Sequence, residues 1–204
     1  MYDLTVQHHE TTDSFYSTVR SHSPCVQAML PPSLTRGAAC TNQAVTESHW
    51  GARSLVLTQM CGFTFSKRVM SPSAAPPKIL ATPVYKFPGC ESSGTHCGFV
   101  IVRDNDCRDE LWKLAGARLA LNHYGSFSGC LALRAAVASI FPAEELDDSQ
   151  SITFFDPHHV VTGAHWESLR AVRDGRADLC CVDCISWALL SESAPSELKG
   201  LRGG

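Results

Sequence analysis

Apolar positions along the chain recur with two periods, and the second half shows them most clearly. Residues 98–103 (GFVIVR) are a β-branched apolar run and predict a strand. Residues 117–122 (ARLALN) and 178–183 (DLCCVD) predict two more, the latter apolar on both faces and therefore buried. Leu133, Val137, Ile140 and Phe141 fall on one face of a helix over 128–141. Residues 165–174 predict a helix that stops at Gly175 with Arg173 in its last turn, and a further helix starts over 185–190. A short helix is expected at 109–114, capped by Asp109 and ended by Gly116, and a strand at 152–155 after an acidic loop. Before residue 95 the pattern is weaker. A helix over 11–20 with Thr12 or Asp13 as cap, a strand over 54–58 and a second strand over 79–84 are the expectations, with breaks at Pro31-Pro32 and over 71–77. Strands alternating with helices imply an α/β protein with a largely parallel sheet.

Composition narrows the class. With 204 residues, 44% hydrophobic and 18% charged, the chain can bury a core as one large domain or two small lobes. Net charge is −3, with 8 Lys/Arg against 6 Asp/Glu in the first 104 residues and 9 against 14 in the rest. Neither half has the basic footprint of a nucleic-acid binder. No apolar run approaches the about 18 residues that suggest a membrane span. The N-terminal residues show no signal-peptide pattern, which leaves localisation open and a cytoplasmic one admissible. Ten cysteines are many, but several sit in apolar surroundings, where Cys behaves as a small hydrophobe, and the reading favours buried free thiols. Cys181 and Cys184 form C-x-x-C, yet a structural zinc site needs a second ligand pair, and only His158-His159 is near, so no metal and no cofactor are expected.

Three strand-to-helix junctions carry the candidate chemistry. In Asn122–Gly129 (NHYGSFSG) a chain leaving a strand enters a helix through small hydroxyl residues. Such a start offers free N–H groups and the positive end of the helix dipole to an anion. It lacks the Lys of a Walker loop, and Phe127 stands where a nucleophile elbow needs Ser. The plainer alternative is that Ser126 or Ser128 only caps the helix. At Thr162-Gly163-Ala164-His165 a second helix starts on a His able to donate to an anion, or simply to pack against Trp166. Asp183 ends an apolar strand at the ligand edge of an open sheet, where it could accept from a protonated ligand oxygen or cap the next helix. Gln59-Met60-Cys61-Gly62 and Thr82–Tyr85 are two further strand-to-turn segments. The terminal Leu201-Arg202-Gly203-Gly204 matches a ubiquitin-type tail, without the β-grasp pattern before it.

Taken in order, TQMCGF, ATPVY with PGC, LAGARLALN with GSFSG and LALRA, and TGAHWESLRAV with DGRADLCCVDCISWALL resemble the phosphate/phosphite/phosphonate-type substrate-binding proteins of ABC transporters. The resemblance runs from about residue 54 to 190. It implies a two-lobed α/β fold of the type 2 periplasmic-binding-protein kind with an incomplete first lobe, the chain being short of the family at both ends. The implied division is a first lobe over 1–88, a second over 89–190 and a tail over 191–204 returning toward the first. The implied activity is non-enzymatic binding of a small oxyanion between the lobes, with an ABC permease as possible partner and a periplasmic location by family habit. The implied ligand residues are Ser126, Phe127 through its backbone N–H, Ser128, Gly129, His165 and Asp183, joined by Gln59, Gly62 and Tyr85. Two alternatives remain at this point: an enzyme resembling the pyrimidine-precursor synthases of thiamine biosynthesis, which share the fold, and a degenerate or sensory binding module.

Overall fold

The computed structural model describes residues 4–34, 48–53, 55–71, 77–91, 94–140 and 153–203. The chain divides into two units, Met1–Ala81 and Thr82–Gly204.

The first unit is helical in its described residues. Helix α1 (Val6–Ser21) begins five residues earlier than the expected 11–20, with Thr5 at the cap position. Thr11 and Thr12 do not start the helix because their hydroxyls bond back to the carbonyls of Gln7 and His8, one turn before. Helix α2 (Pro24–Met29) follows, with Pro at its first turn and Ser23 as cap. Tyr16 is buried and donates its hydroxyl to the Pro31 carbonyl at 2.7 Å, which fixes the chain after α2. Helix α3 (Gly62–Val69) is capped by Cys61. Neither expected strand forms among the described residues. Residues 55–58 and 79–84 pair with nothing in a sheet, and Val56, Leu57, Ile79 and Leu80 are exposed. A short apolar run reads the same whether or not a neighbouring strand exists to complete its ladder.

Among its described residues the second unit holds one sheet of five strands: β1 (Gly98–Arg103), β2 (Leu119–Leu121), β3 (Val160–Val161), β4 (Leu179–Asp183) and β5 (Leu201–Gly203), in the order β3-β2-β4-β1-β5. β2 runs parallel to both β3 and β4, but β1 is antiparallel to β4 and to β5. The sheet is therefore mixed rather than largely parallel. Every residue of β4 is buried, as expected of a central strand covered on both faces. The third strand lies at 160–161, not 152–155; Thr153 is helical, Phe154 and Phe155 turn the chain, and Ile152 lies outside the described residues. Phe155 nevertheless packs into the core with Leu119, Leu121, Leu133, Val137 and Leu179.

Among the described residues, three longer helices flank the sheet. The expected helix over 128–141 opens as a widened π-turn (Phe127–Leu131) and continues as α4 (Ala132–Ile140); Phe141 lies outside the described residues. Leu133 and Val137 are buried as the pattern required, while Ile140 is 40% exposed. Helix α5 (His165–Arg173) ends at Asp174-Gly175, with Gly175 in the left-handed region. Helix α6 (Cys184–Ser193) follows β4 directly. The segment at 109–114 tightens to a 3₁₀ turn over Leu111–Leu114, with Glu110 rather than Asp109 before it, because Asp109 pairs with Lys113 instead. Residues 201–203, expected to return toward a first lobe, lie beside β1 in this sheet.

Far from the carboxyl ends of β2 and β4, ion pairs tie the sheet together. Asp178 accepts from Arg103 at 2.8 Å and from Arg118 at 2.9 Å, and Arg103 also donates to the carbonyls of Val172 and Ala177. Asp106 takes a two-pronged bond from Arg108. Hydrogen bonds from Arg118 and Arg103 hold the Asp178 carboxyl well below the usual carboxylate range. The Arg108 guanidinium holds Asp106 down at about 2.

Candidate functional site

The carboxyl ends of β2 and β4 are neighbours, and the chain turns into a helix after each. Asn122 follows β2. Its side chain is buried, and its amide donates to Ser126 Oγ at 3.0 Å. Ser126 in turn accepts from the Gly129 N–H at 3.1 Å, which makes it the cap of the π-turn. In that turn the Leu131 N–H reaches the Ser126 carbonyl, five residues back. The wider ring carries Ser128 inward, where it is 8% exposed, and leaves the Phe127 ring 46% exposed.

Backbone bonds dock the second helix start onto the first. The Thr162 and Gly163 N–H groups donate to the carbonyls of Leu121 and Asn122, each at 2.8 Å. Thr162 Oγ1 lies 2.6 Å from Ser168 Oγ, and Ser168 is fully buried, so the entry to α5 is pinned from both sides. His165, the first residue of α5, is thereby placed with Nε2 at 3.3 Å from Ser128 Oγ, 3.4 Å from Asn122 Nδ2 and 3.5 Å from Asp183 Oδ2. Asp183 caps α6: its carboxylate accepts from the Ser186 N–H at 2.8 Å and the Ser186 hydroxyl at 2.7 Å.

Two glycines permit this closeness. A Cβ at Gly129 would stand 2.1 Å from Asn122 Oδ1 and 3.1 Å from His165 Cε1. A Cβ at Gly98, opposite Asp183 in the β1–β4 register, would stand 2.9 Å from Cys181 Sγ and 3.2 Å from the Ser128 carbonyl oxygen.

The electrostatics follow from burial. Desolvation lowers the His165 pKa, His123 adds to the lowering, and Asp183 opposes it. The imidazole is thus neutral at neutral pH and offers one N–H. Asn122 Oδ1 is buried without a hydrogen-bond partner. The site so holds hydroxyl and imidazole donors, one carboxylate and an unmet acceptor, at the starts of three helical elements.

Of the residues expected from the sequence, Ser126, Ser128, Gly129, His165 and Asp183 meet here, and Phe127 contributes the backbone between the two serines. Tyr85 lies in the second unit, half-buried, with its ring stacked 6.3 Å from that of Phe87. Gln59 and Gly62 lie in the first unit, both exposed, the latter as the first residue of α3. Asn122 and Ser186 are the site's additions. Asn122 was legible as the last residue of a predicted strand and the first of the Asn122–Gly129 junction but not as a polar group of the site, and Ser186 only as the third residue after a candidate cap. Among the described residues no cluster of His, Cys, Asp or Glu is arranged to hold a metal ion. None of their helices is long and apolar enough to cross a membrane.

No protein-family model matches the chain, and no curated protein does. Solved structures similar to part of it include PhnD1 from Prochlorococcus marinus in complex with methylphosphonate (16% identity, TM-score 0.39), covering 52% of this chain and 39% of that one. A Xanthomonas citri protein bound to chloride gives 17% and 0.41 over the same shares. A binding-protein component of an ABC phosphonate transporter from Pseudomonas aeruginosa gives 14% and 0.40, covering 52% of this chain and 34% of that one. The chain thus spans little more than a third of the length of these structures.

Proposed function

We propose that the second unit binds a small oxyanion of the phosphate, phosphite or phosphonate class at the carboxyl edge of β2 and β4. The observation that carries the reading is the convergence of Ser128, His165 and Asp183 within 3.5 Å steps, from three separate chain segments, at three helix starts. Ser128 and His165 donate to the anion. Asp183 keeps lone pairs beyond those used by Ser186 and accepts from a protonated ligand oxygen. A carboxylate in this position disfavours an oxyanion without a proton, so the reading selects hydrogen phosphate or a hydrogen phosphonate over sulfate.

The reading extends, on the sequence resemblance, to a solute-binding component of an ABC-type transport system with a permease partner and no catalytic step. It divides the chain into a lobe over 1–88, a lobe over 89–190 and a tail over 191–204. Gln59, Gly62 and Tyr85 complete the ligand contacts in this reading.

Calorimetric titration of the chain with phosphate, phosphite and methylphosphonate tests it, with sulfate as control. Ser128→Ala and His165→Ala each remove a hydrogen bond to a charged group, worth about 1.5–3 kcal/mol. That corresponds to an affinity loss of roughly 10-fold or more. No heat from any of the three anions with a folded sample, or unchanged affinity in both variants, overturns the assignment.

A further inference from the structure

A group of thiols lies beside the site and takes no part in it. Cys184 is the first residue of α6, immediately after Asp183, and is buried. Its Sγ lies 3.5 Å from Cys90 Sγ, although 94 positions separate the two in sequence. Cys90 ends the turn that begins at Phe87, with its N–H on the Phe87 carbonyl at 2.9 Å, and is half-buried. Gly89, in the left-handed region, lies against the cluster: a Cβ there would stand 2.5 Å from Cys97 Sγ and 3.2 Å from Cys184 Sγ. Backbone bonds hold the three segments in place. The Cys97 N–H donates to the Gly89 carbonyl at 3.1 Å, and the Cys184 N–H donates to the Cys97 carbonyl at 3.0 Å. All nine described cysteines are free thiols.

We propose that Cys90 and Cys184 are an oxidation site that closes to an intramolecular disulfide when the protein meets a peroxide, and reopens under thiol reductants. A disulfide requires sulfurs about 2.05 Å apart. The pair starts at 3.5 Å, within reach of a side-chain rotation at Cys90, which sits in a turn rather than in the sheet. Cys130, Cys180 and Cys181 are buried in or beside the apolar core, and Cys25, Cys61, Cys97 and Cys107 are exposed, Cys97 being the one of these that lies beside the pair.

The chemistry balances with hydrogen peroxide as oxidant. The Cys90 sulfur attacks one peroxide oxygen. The O–O bond breaks, hydroxide leaves and takes the thiol proton as water, and Cys90 becomes a sulfenic acid. The Cys184 sulfur then attacks the sulfenic sulfur. The S–O bond breaks, an S–S bond forms, and the second hydroxide leaves with the Cys184 proton as a second water. Two thiols give up two electrons and two protons, and one peroxide becomes two waters. Half-burial exposes Cys90 to the first step, and burial of Cys184 beside it favours the second over further oxidation of Cys90. Desolvation pushes both thiols up and slows the first step, so what singles out this pair is the 3.5 Å approach of its sulfurs, which lets a Cys90 sulfenic acid be captured before it oxidises further. The product ties the first turn of α6 to the turn at 87–90 and constrains a long loop in the unfolded chain.

The test uses the full chain, reduced, freed of reductant and kept dilute, then treated with hydrogen peroxide in excess over all its thiols. Digestion without reduction and mass spectrometry should recover a Cys90–Cys184 linked peptide lighter by two hydrogens than its parts, and dithiothreitol should restore both thiols. The crosslink should persist in Cys97→Ala and vanish in Cys90→Ala, and the oxidised protein should melt several degrees above the reduced one. Recovery of Cys90 joined to Cys97, Cys184 free while Cys90 carries sulfinic acid, or no crosslink at all overturns the proposal.

Discussion

Gly129→Ala decides whether the site is as tightly interlocked as its distances state. In a helical turn Ala is ordinarily more stable than Gly by roughly 0.5–1 kcal/mol. Here the added methyl would meet Asn122 Oδ1 at 2.1 Å, Asn122 Cγ at 2.8 Å and His165 Cε1 at 3.1 Å. The first two separations are shorter than any van der Waals contact, so Asn122 must move. It is 4% exposed and bonded to Ser126 at 3.0 Å, so rotation breaks that bond and drives the amide toward His165. Overpacking of this kind costs about 1–3 kcal/mol, and the lost hydrogen bond adds about 1 kcal/mol. These exceed the propensity gain, so the variant should be less stable by about 1–3.5 kcal/mol, the difference of the terms just given. Urea unfolding followed by circular dichroism measures this directly. Asn122→Ala removes the obstruction, so the double variant should be more stable than additivity predicts, with a coupling of about 0.5–3 kcal/mol. A Gly129→Ala protein as stable as the parent, or more so, refutes the close approach of Asn122 to the π-turn that carries Ser128.

Other expectations follow from the same geometry. The lowered His165 pKa means the folded state binds fewer protons than the unfolded one, so stability should be full above the ordinary value of 6.5 and fall as pH drops below it; His165→Gln should flatten that part of a stability–pH profile. Asp106 and Asp178 are also depressed, so their contribution is full above 3.8 and is lost on further acidification, for Asp106 down to about 2; urea midpoints between pH 5 and pH 2 measure it, and an unchanged slope in Asp178→Asn refutes the network's role. Asp178→Ala at neutral pH breaks charged hydrogen bonds from two arginines and should destabilise by about 1.5–3 kcal/mol in the same assay. Gly89→Ala combines a strained φ of 85° with a contact at 2.5 Å to Cys97 Sγ, and its thermal midpoint should fall below that of the parent.

What the sequence could disclose depended on how much each segment decides for itself. β1, β4, α5 and α6 were legible because their apolar patterns are long and bounded by Gly, Asp or Pro. The direction of β1 was not, since alternation along a strand carries no information about which way its neighbour runs, and β1 pairs antiparallel with β4. β3 is two residues long, below any detectable period. Before residue 95, the runs at 54–58 and 79–84 looked like strands because a run of that length signals only that something apolar could cover it.

The candidate site shows the same division more sharply. Ser126, Ser128, His165 and Asp183 each followed from a local rule, that a strand ending at a helix start presents polar groups at one edge of the sheet. Asn122 did not follow, because its role depends on Gly129 lacking a Cβ and on Thr162 and Gly163 docking onto the end of β2. The cysteines reverse the relation. Sequence spacing pairs Cys181 with Cys184, but β4 carries Cys181 into the core, and the turn into α6 swings Cys184 toward Cys90. Asp183 ends β4 between those two cysteines, so the change of direction that carries Cys184 to the thiol pair is also what leaves the Asp183 carboxylate as the cap of α6, facing His165. A shift of the α6 start therefore moves both together, which is why oxidation at Cys90 and occupancy beside Asp183 are best measured on the same protein sample.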